Sequence, residues 1–170
     1  MAKSSKNNSS TATSKTMKRF TKLDYTLLTV RVLLGLTVAA HGAQKLFGWF
    51  GGYGFEGTMG FFTQTIGLPY IFALGIILAE SLGMIALALG LFTRFLSVSI
   101  IAIMLGAIVT VHGQFGFFMN WGGNQAGEGF EFHLLVIALA TVTALHGAGA
   151  FSLDSLLFKK KSVQQDPYFV

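Results

Sequence analysis

Apolar residues run almost unbroken along four stretches of the chain, at about 23–47, 70–92, 95–112 and 130–146. They do not alternate with polar positions, as the strands of a membrane barrel would. Each is near the ~20 residues that cross hydrocarbon about 30 Å thick at 1.5 Å per residue, the last two at the short end. Backbone polar groups in lipid must pair within their own segment, so all four are expected to be helices. The pattern therefore predicts an all-α integral membrane four-helix bundle, occupying residues 23–155.

The connections are unequal. Thr93-Arg94 is a tight turn, so the second and third helices form an antiparallel hairpin. Residues 48–69 and 113–129 are long links rich in glycine and aromatics, among them Gly51, Gly52, Trp49, Phe50 and then Gly122, Gly123, Phe117, Trp121. Long ordered loops of this kind are often functional, while Trp and Phe at such places also form interfacial belts.

Composition agrees with a membrane chain. Hydrophobic residues make up 52% of it and charged ones 11%, against roughly 25% charged in soluble domains. The absence of cysteine excludes disulfides, thiol redox motifs and thiolate metal sites. Residues 1–22 are polar and free of Asp and Glu, and read as a disordered basic tail. Val38-Ala39-Ala40 has the look of a signal-peptide cleavage site, but Arg31 interrupts the apolar region and that region runs on beyond it, so the segment is expected to remain as a helix. Such an acid-poor tail also has the composition of an organelle transit peptide.

Charge adds a direction. Ten of the 12 Lys and Arg residues lie in the tails at 1–22 and 156–170 or at Arg94 in the hairpin turn. The long glycine links hold none, which by the positive-inside rule places both termini in the cytoplasm and both links outside. No folded basic patch is left over for nucleic acid. Lipid is the expected partner, with further subunits or a second copy of the chain.

Polar residues within spans are costly and tend to face the bundle interior, so each marks a candidate site. Arg31, His41, Gln44 and Lys45 lie in the first helix, Glu80 near the middle of the second, His112 at the end of the third, and Glu131 and His133 at the start of the fourth. If the first two helices are centred at Gly35 and Ser81, Arg31 lies roughly 6 Å inward, His41 roughly 9 Å outward, and Glu80 within ~2 Å of the midplane. Glu80 would then sit between Arg31 and His41 and pair with either. His41, Gln44 and Lys45 share one face by their spacing. They imply a polar pocket in the outer half of the bundle, floored by Glu80 and lidded by the glycine links. Glu131 and His133 cannot both face it, and Glu131 is expected inward. Lys45 could alternatively snorkel to the interface, and Arg31–Glu80 could be a structural ion pair. A metal held by His41, His112 and His133, or a bis-histidine haem, lacks the tight ligand spacing such sites use, so no metal is assigned.

These residues resemble the DoxX family of small bacterial membrane proteins. The match is carried by His41-Gly42-Ala43-Gln44-Lys45-Leu46-Phe47-Gly48-Trp49-Phe50-Gly51-Gly52, then Gly67-Leu68-Pro69, Ala79-Glu80-Ser81-Leu82-Gly83, Gly90-Leu91-Phe92-Thr93-Arg94, Gly129-Phe130-Glu131-Phe132 and the segment from Gly147 to Asp154. Ala148 and Ala150 depart from that family's closing pattern, which often has Pro and Arg there. The resemblance implies a four-helix membrane bundle and a redox-associated role, as an accessory or quinone-interacting subunit of a membrane oxidoreductase. In that role Glu80, His41 and Glu131 would handle protons, and Gln44, Lys45, Trp49, Arg31 and His112 would bind the ligand. The cofactor is left open, with a quinone the candidate. A proton-coupled or small-solute permease, and a structural or assembly protein without chemistry of its own, are the alternatives.

The cysteine-free chain makes the topology measurable. In intact cells a membrane-impermeant maleimide is expected to label Asn124→Cys, and to label Ser9→Cys or Ser162→Cys only after permeabilisation. Labelling of either tail from outside would overturn the orientation.

Overall fold

A computed structural model describes residues 20–158, so most of the two basic tails lies outside the described residues. Among them there is no strand. The main helices of the described residues are α1 Lys22–Phe47, α2 Gly54–Gly60, α3 Tyr70–Leu89, α4 Thr93–Phe115, α5 Glu131–His146 and α6 Leu153–Leu157, with a short 3-10 turn at Trp49–Gly51 and a π segment at Phe61–Thr65. By length and composition α1, α3 and α4 can each cross a membrane. The 16-residue α5 is shorter, about 24 Å at 1.5 Å per residue.

Local chemistry sets the helix ends. Thr21 and Asp24 form a reciprocal capping box that starts α1. Gly48, at φ 74°, ends it and returns its N–H to the Gln44 carbonyl; a side chain there would be strained. At the end of α3, Gly90 and Leu91 donate to the carbonyls of Leu87 and Ala86 in a Schellman turn.

The long helices close a ring, α1 beside α3, α3 beside α4, α4 beside α5, and α5 back on α1. Each supplies two residues to one core: Leu34 and Val38, Met84 and Leu87, Ile100 and Met104, Val136 and Ala140. Small residues let α1 and α3 approach closely. A Cβ on Gly35 would come within 2.6 Å of the Met84 carbonyl oxygen, and one on Gly42 would collide with the backbone of Glu80 and Ser81. Such small-residue contacts are how helices pack in lipid, where apolar burial gives no drive. Between α4 and α5, the Ser97 and Thr143 hydroxyls meet at 2.7 Å.

The segment after α5 knits together the end of the bundle that holds the described termini, called inner after the orientation expected from charge. Asp154 accepts from the Phe92 and Thr93 backbone N–H groups at 2.8 and 3.0 Å. It thus caps α4 from a distant part of the chain and holds Phe92 at φ 51°, a conformation that costs a non-glycine residue of order 1–3 kcal/mol. Ala150 donates to Asp24 at 2.9 Å, and the Phe20 and Phe151 rings stack. Arg31, 2% exposed, donates to the Phe151 carbonyl and lies in the field of Asp154. Both ends of the described chain therefore lie at one end of the bundle.

The expected depth of Glu80 is corrected by this packing. Gly35 faces Met84 and Ala88, and Gly42 faces Glu80. Glu80 is thus level with Gly42, about 10 Å outward of Gly35 at 1.5 Å per residue, out of reach of an Arg31 held at the inner end. Centring both helices on one plane ignored the sliding that their glycine contacts dictate.

Gly42→Val is expected to lower unfolding stability by roughly 1–3 kcal/mol through overpacking. Gly75→Ala, with nothing within 4 Å of the added Cβ, should leave it unchanged. Thermal unfolding of the purified proteins in one detergent checks this; equal melting of Gly42→Val and wild type would refute the close-approach account.

Candidate functional site

Above the core the outer half of the bundle opens into a cavity of about 970 Å³. Val38 and Met104 link its floor to the core, and Gly52, Tyr53, Met119 and Glu128 of the two outer links bound it. Most of its lining is apolar. Its polar groups are His41, Gln44 and Lys45 of α1, Glu80 of α3, His112 of α4 and His133 of α5, with Thr58, Thr110 and, from the outer links, Tyr53 and Glu128.

Three helical segments on the wall are wound as π turns: Phe61–Thr65, Ala79–Gly83 and Ile108–His112. A π turn inserts a residue into the i→i−4 ladder and turns the side chains out of register, and such turns are frequent at functional sites. Here they present Phe61 and Phe62, Glu80, and Thr110 to His112 to the same space.

Lys45 and Glu80 form an ion pair across α1 and α3. The Glu80 side chain is 5% exposed and that of Lys45 27%. A buried carboxylate needs a partner. Lys45 supplies it by reaching inward from the outer end of α1, so it does not snorkel outward. The Arg31–Glu80 pair is accordingly not formed, because Arg31 is engaged at the inner end.

The fourth helix reverses the expected choice between Glu131 and His133. His133 is buried and lines the cavity, its ring 4.2 Å from that of His112. Glu131 faces the outer link, where the Trp121 indole N–H donates to it at 3.1 Å. The reason lies in the helix start: Phe130 and Glu131 donate their N–H groups to Gly116 and Phe117. That anchoring rotates α5 so that His133 points in. His133 Nδ1 has no hydrogen-bond partner among the described residues, whereas His112 Nδ1 meets the Glu128 carbonyl oxygen at 2.8 Å. His41 packs its ring on Phe132, and His41, Lys45 and His112 all lie within electrostatic range of His133.

Of the other expected site residues, Gln44 lines the cavity and its amide donates to the Phe50 carbonyl at 3.4 Å. Trp49 is 59% exposed and packs on Phe47 and Phe50 outside the cavity, and Arg31 lies at the opposite end of the bundle. Sequence reasoning missed Thr58, Phe61, Phe62 and the Ala102–Gly106–Thr110 face of α4; no charge or motif distinguishes them. Among the described residues no group of three or more His, Asp or Glu side chains is arranged to hold a metal ion.

Comparison with known proteins gives a family. The DoxX family matches residues 26–113. A Bacillus subtilis (strain 168) protein named "Putative oxidoreductase CatD" is 33% identical over 134 residues, covering 79% of this chain and 88% of that protein. No solved structure matches the chain.

Removing one partner of a desolvated ion pair strands the other, at about 3–5 kcal/mol. Glu80→Gln and Lys45→Met are each expected to destabilise the fold by about that much, and the double variant by less than either alone. A double-mutant cycle on unfolding free energies tests it; additive losses would mean the pair is not formed in the membrane.

Proposed function

The chain belongs to the DoxX family of membrane proteins, and from that premise we propose that it is a quinone-interacting subunit of a membrane oxidoreductase, with the outer cavity as the quinone site. The carrying observation is the Lys45–Glu80 pair set into an otherwise apolar cavity, with the unpartnered His133 Nδ1 beside it. A quinone head group is a flat apolar ring with hydrogen-bond acceptors at its rim. A cavity at the upper end of the 300–1,000 Å³ range for cofactor sites, with few placed polar groups, suits it. The related protein's name supports a redox association.

Reduction of a quinone to a quinol takes up two electrons and two protons. In this reading a partner oxidoreductase supplies the electrons, and the chain binds, orients and protonates. The Lys45 ammonium donates to one quinone oxygen, and His133 to another when Nδ1 carries the proton. Glu80, held by Lys45 at the cavity floor, exchanges protons with the bound head group. His41 and His133, with His112 behind it, continue outward as a relay, an arrangement suited to proton movement within membranes. Glu131 positions the outer link through Trp121. With both tails in the cytoplasm, the cavity occupies the outer half of the cytoplasmic membrane.

A tail-less, water-soluble quinone added to the purified protein in lipid nanodiscs is expected to raise its melting temperature saturably, because a ligand that binds only the folded state stabilises it. His133→Ala should weaken that binding about tenfold, or roughly 1.4 kcal/mol. No shift at saturating quinone, together with no quinone in extracts of protein purified from native membranes, would sink the proposal.

A further inference from the structure

The cavity wall is polar on one side and apolar on the other. His41, Lys45, Glu80 and His133 stand on α1, on the π turn of α3 and on α5. Facing them, below His112, the wall is apolar: Ile76 of α3 and Ala102, Ile103, Gly106 and Ala107 of α4, with Phe61 and Phe62 of the preceding link closer to the mouth. The Thr110 hydroxyl donates to the Gly106 carbonyl at 2.8 Å, so it offers the cavity little beyond its methyl group.

This apolar side coincides with a parting of two helices. From their hairpin turn up to Ala79–Gly83, α3 and α4 pack together. Beyond that level the outer part of α3, Tyr70–Leu78, packs on α1 and on the segment at 54–65 rather than on α4. Gly106 stands in the gap, where an added side chain meets nothing within 4 Å. The neighbouring Val109 is 85% exposed, a surface that faces acyl chains in a bilayer. Ile76, Ala102 and Gly106 at this parting also line the cavity, and Ala102 and Gly106 are exposed.

We infer that the ligand enters sideways, through the gap between α3 and α4, out of the outer half of the bilayer. Its class is then an isoprenoid-tailed quinone, the tail lying in the gap against Ile76, Ala102 and Gly106 while the head group reaches Lys45, Glu80 and His133. This rests on the quinone reading of the cavity and adds the route and the tail. A tail that stays in contact with lipid avoids transfer through water, at ~0.8 kcal/mol for each CH₂.

The test is a plug in the gap. Wild type and Gly106→Phe are compared in nanodiscs, with a long-tailed quinone dissolved in the lipid and a tail-less quinone with the same head group added from water. Binding is read from the melting temperature, with the ligand-free melting of Gly106→Phe and Gly106→Ala as the control for folding. Gly106→Phe is expected to weaken the long-tailed quinone at least about tenfold and the tail-less one less than about twofold. Retention of both ligands by Gly106→Phe, or loss of both, overturns the side entrance while leaving the head-group site standing on the wild-type result. Failure of wild type to bind either quinone removes the site itself, and the entrance with it.

Discussion

The outer half of this bundle is organised around one ion pair, Lys45 with Glu80. A carboxylate placed between helices in a membrane is expensive unless a cation and good geometry meet it. That need constrains α1 and α3 together. Gly42 must lack a side chain for the backbones to come close enough. The π turn at Ala79–Gly83 must bring Glu80 to the cavity. Gly48 must end α1 one turn beyond Lys45, so that the lysine stem can turn back inward. Each feature is unremarkable alone; together they hold a charged pair at the floor of an apolar chamber.

The two ends of the bundle are built on opposite principles. At the inner end every exposed helix terminus is tied down, by Asp154 on the α4 N-terminus, by Asp24 on Ala150, by Arg31 on Phe151, and by Arg94 donating to the Leu145 carbonyl at the end of α5. Clamped at their inner ends, α3 and α4 can part at their outer ones, while α5 stays in contact with α1 through His41 and Phe132 and with α4 through His112 and His133. The outer links fill the mouth with glycine-permitted close contacts. A Cβ on Gly129 would come within 2.6 Å of the Gly116 carbonyl oxygen, and one on Gly127 as close to the Phe115 ring. Such packing shapes a lid without basic groups.

Much was legible in the chain because its signals are local. Continuous apolar runs announce helices in lipid, and the short break between the second and third announces a hairpin; its turn falls at 90–92 rather than at Thr93-Arg94, because Gly90 ends α3 and Asp154 caps α4 ahead of Thr93. Glu80, His41, Gln44, Lys45 and His112 were recognisable as cavity residues because polar groups are rare and costly inside a membrane. Arg31 and Trp49 satisfied the same rule yet lie outside the cavity, one in the inner clamp and one in the outer aromatic cluster. Polarity marks a residue as needing a partner without saying which partner it finds.

The sequence by itself determined the all-α class, the membrane setting, the approximate course of the four long helices and most of the polar residues of the outer cavity, because these follow from composition and spacing within single segments. Only the tertiary structure decided that Lys45 rather than Arg31 meets Glu80, that His133 rather than Glu131 turns inward, and that α3 and α4 part at their outer ends. Those outcomes depend on how far helices slide along one another and rotate about their axes. Contacts between distant residues set both, among them Gly42 on Glu80, Phe130 and Glu131 on the link at 116–117, and Asp154 on Phe92.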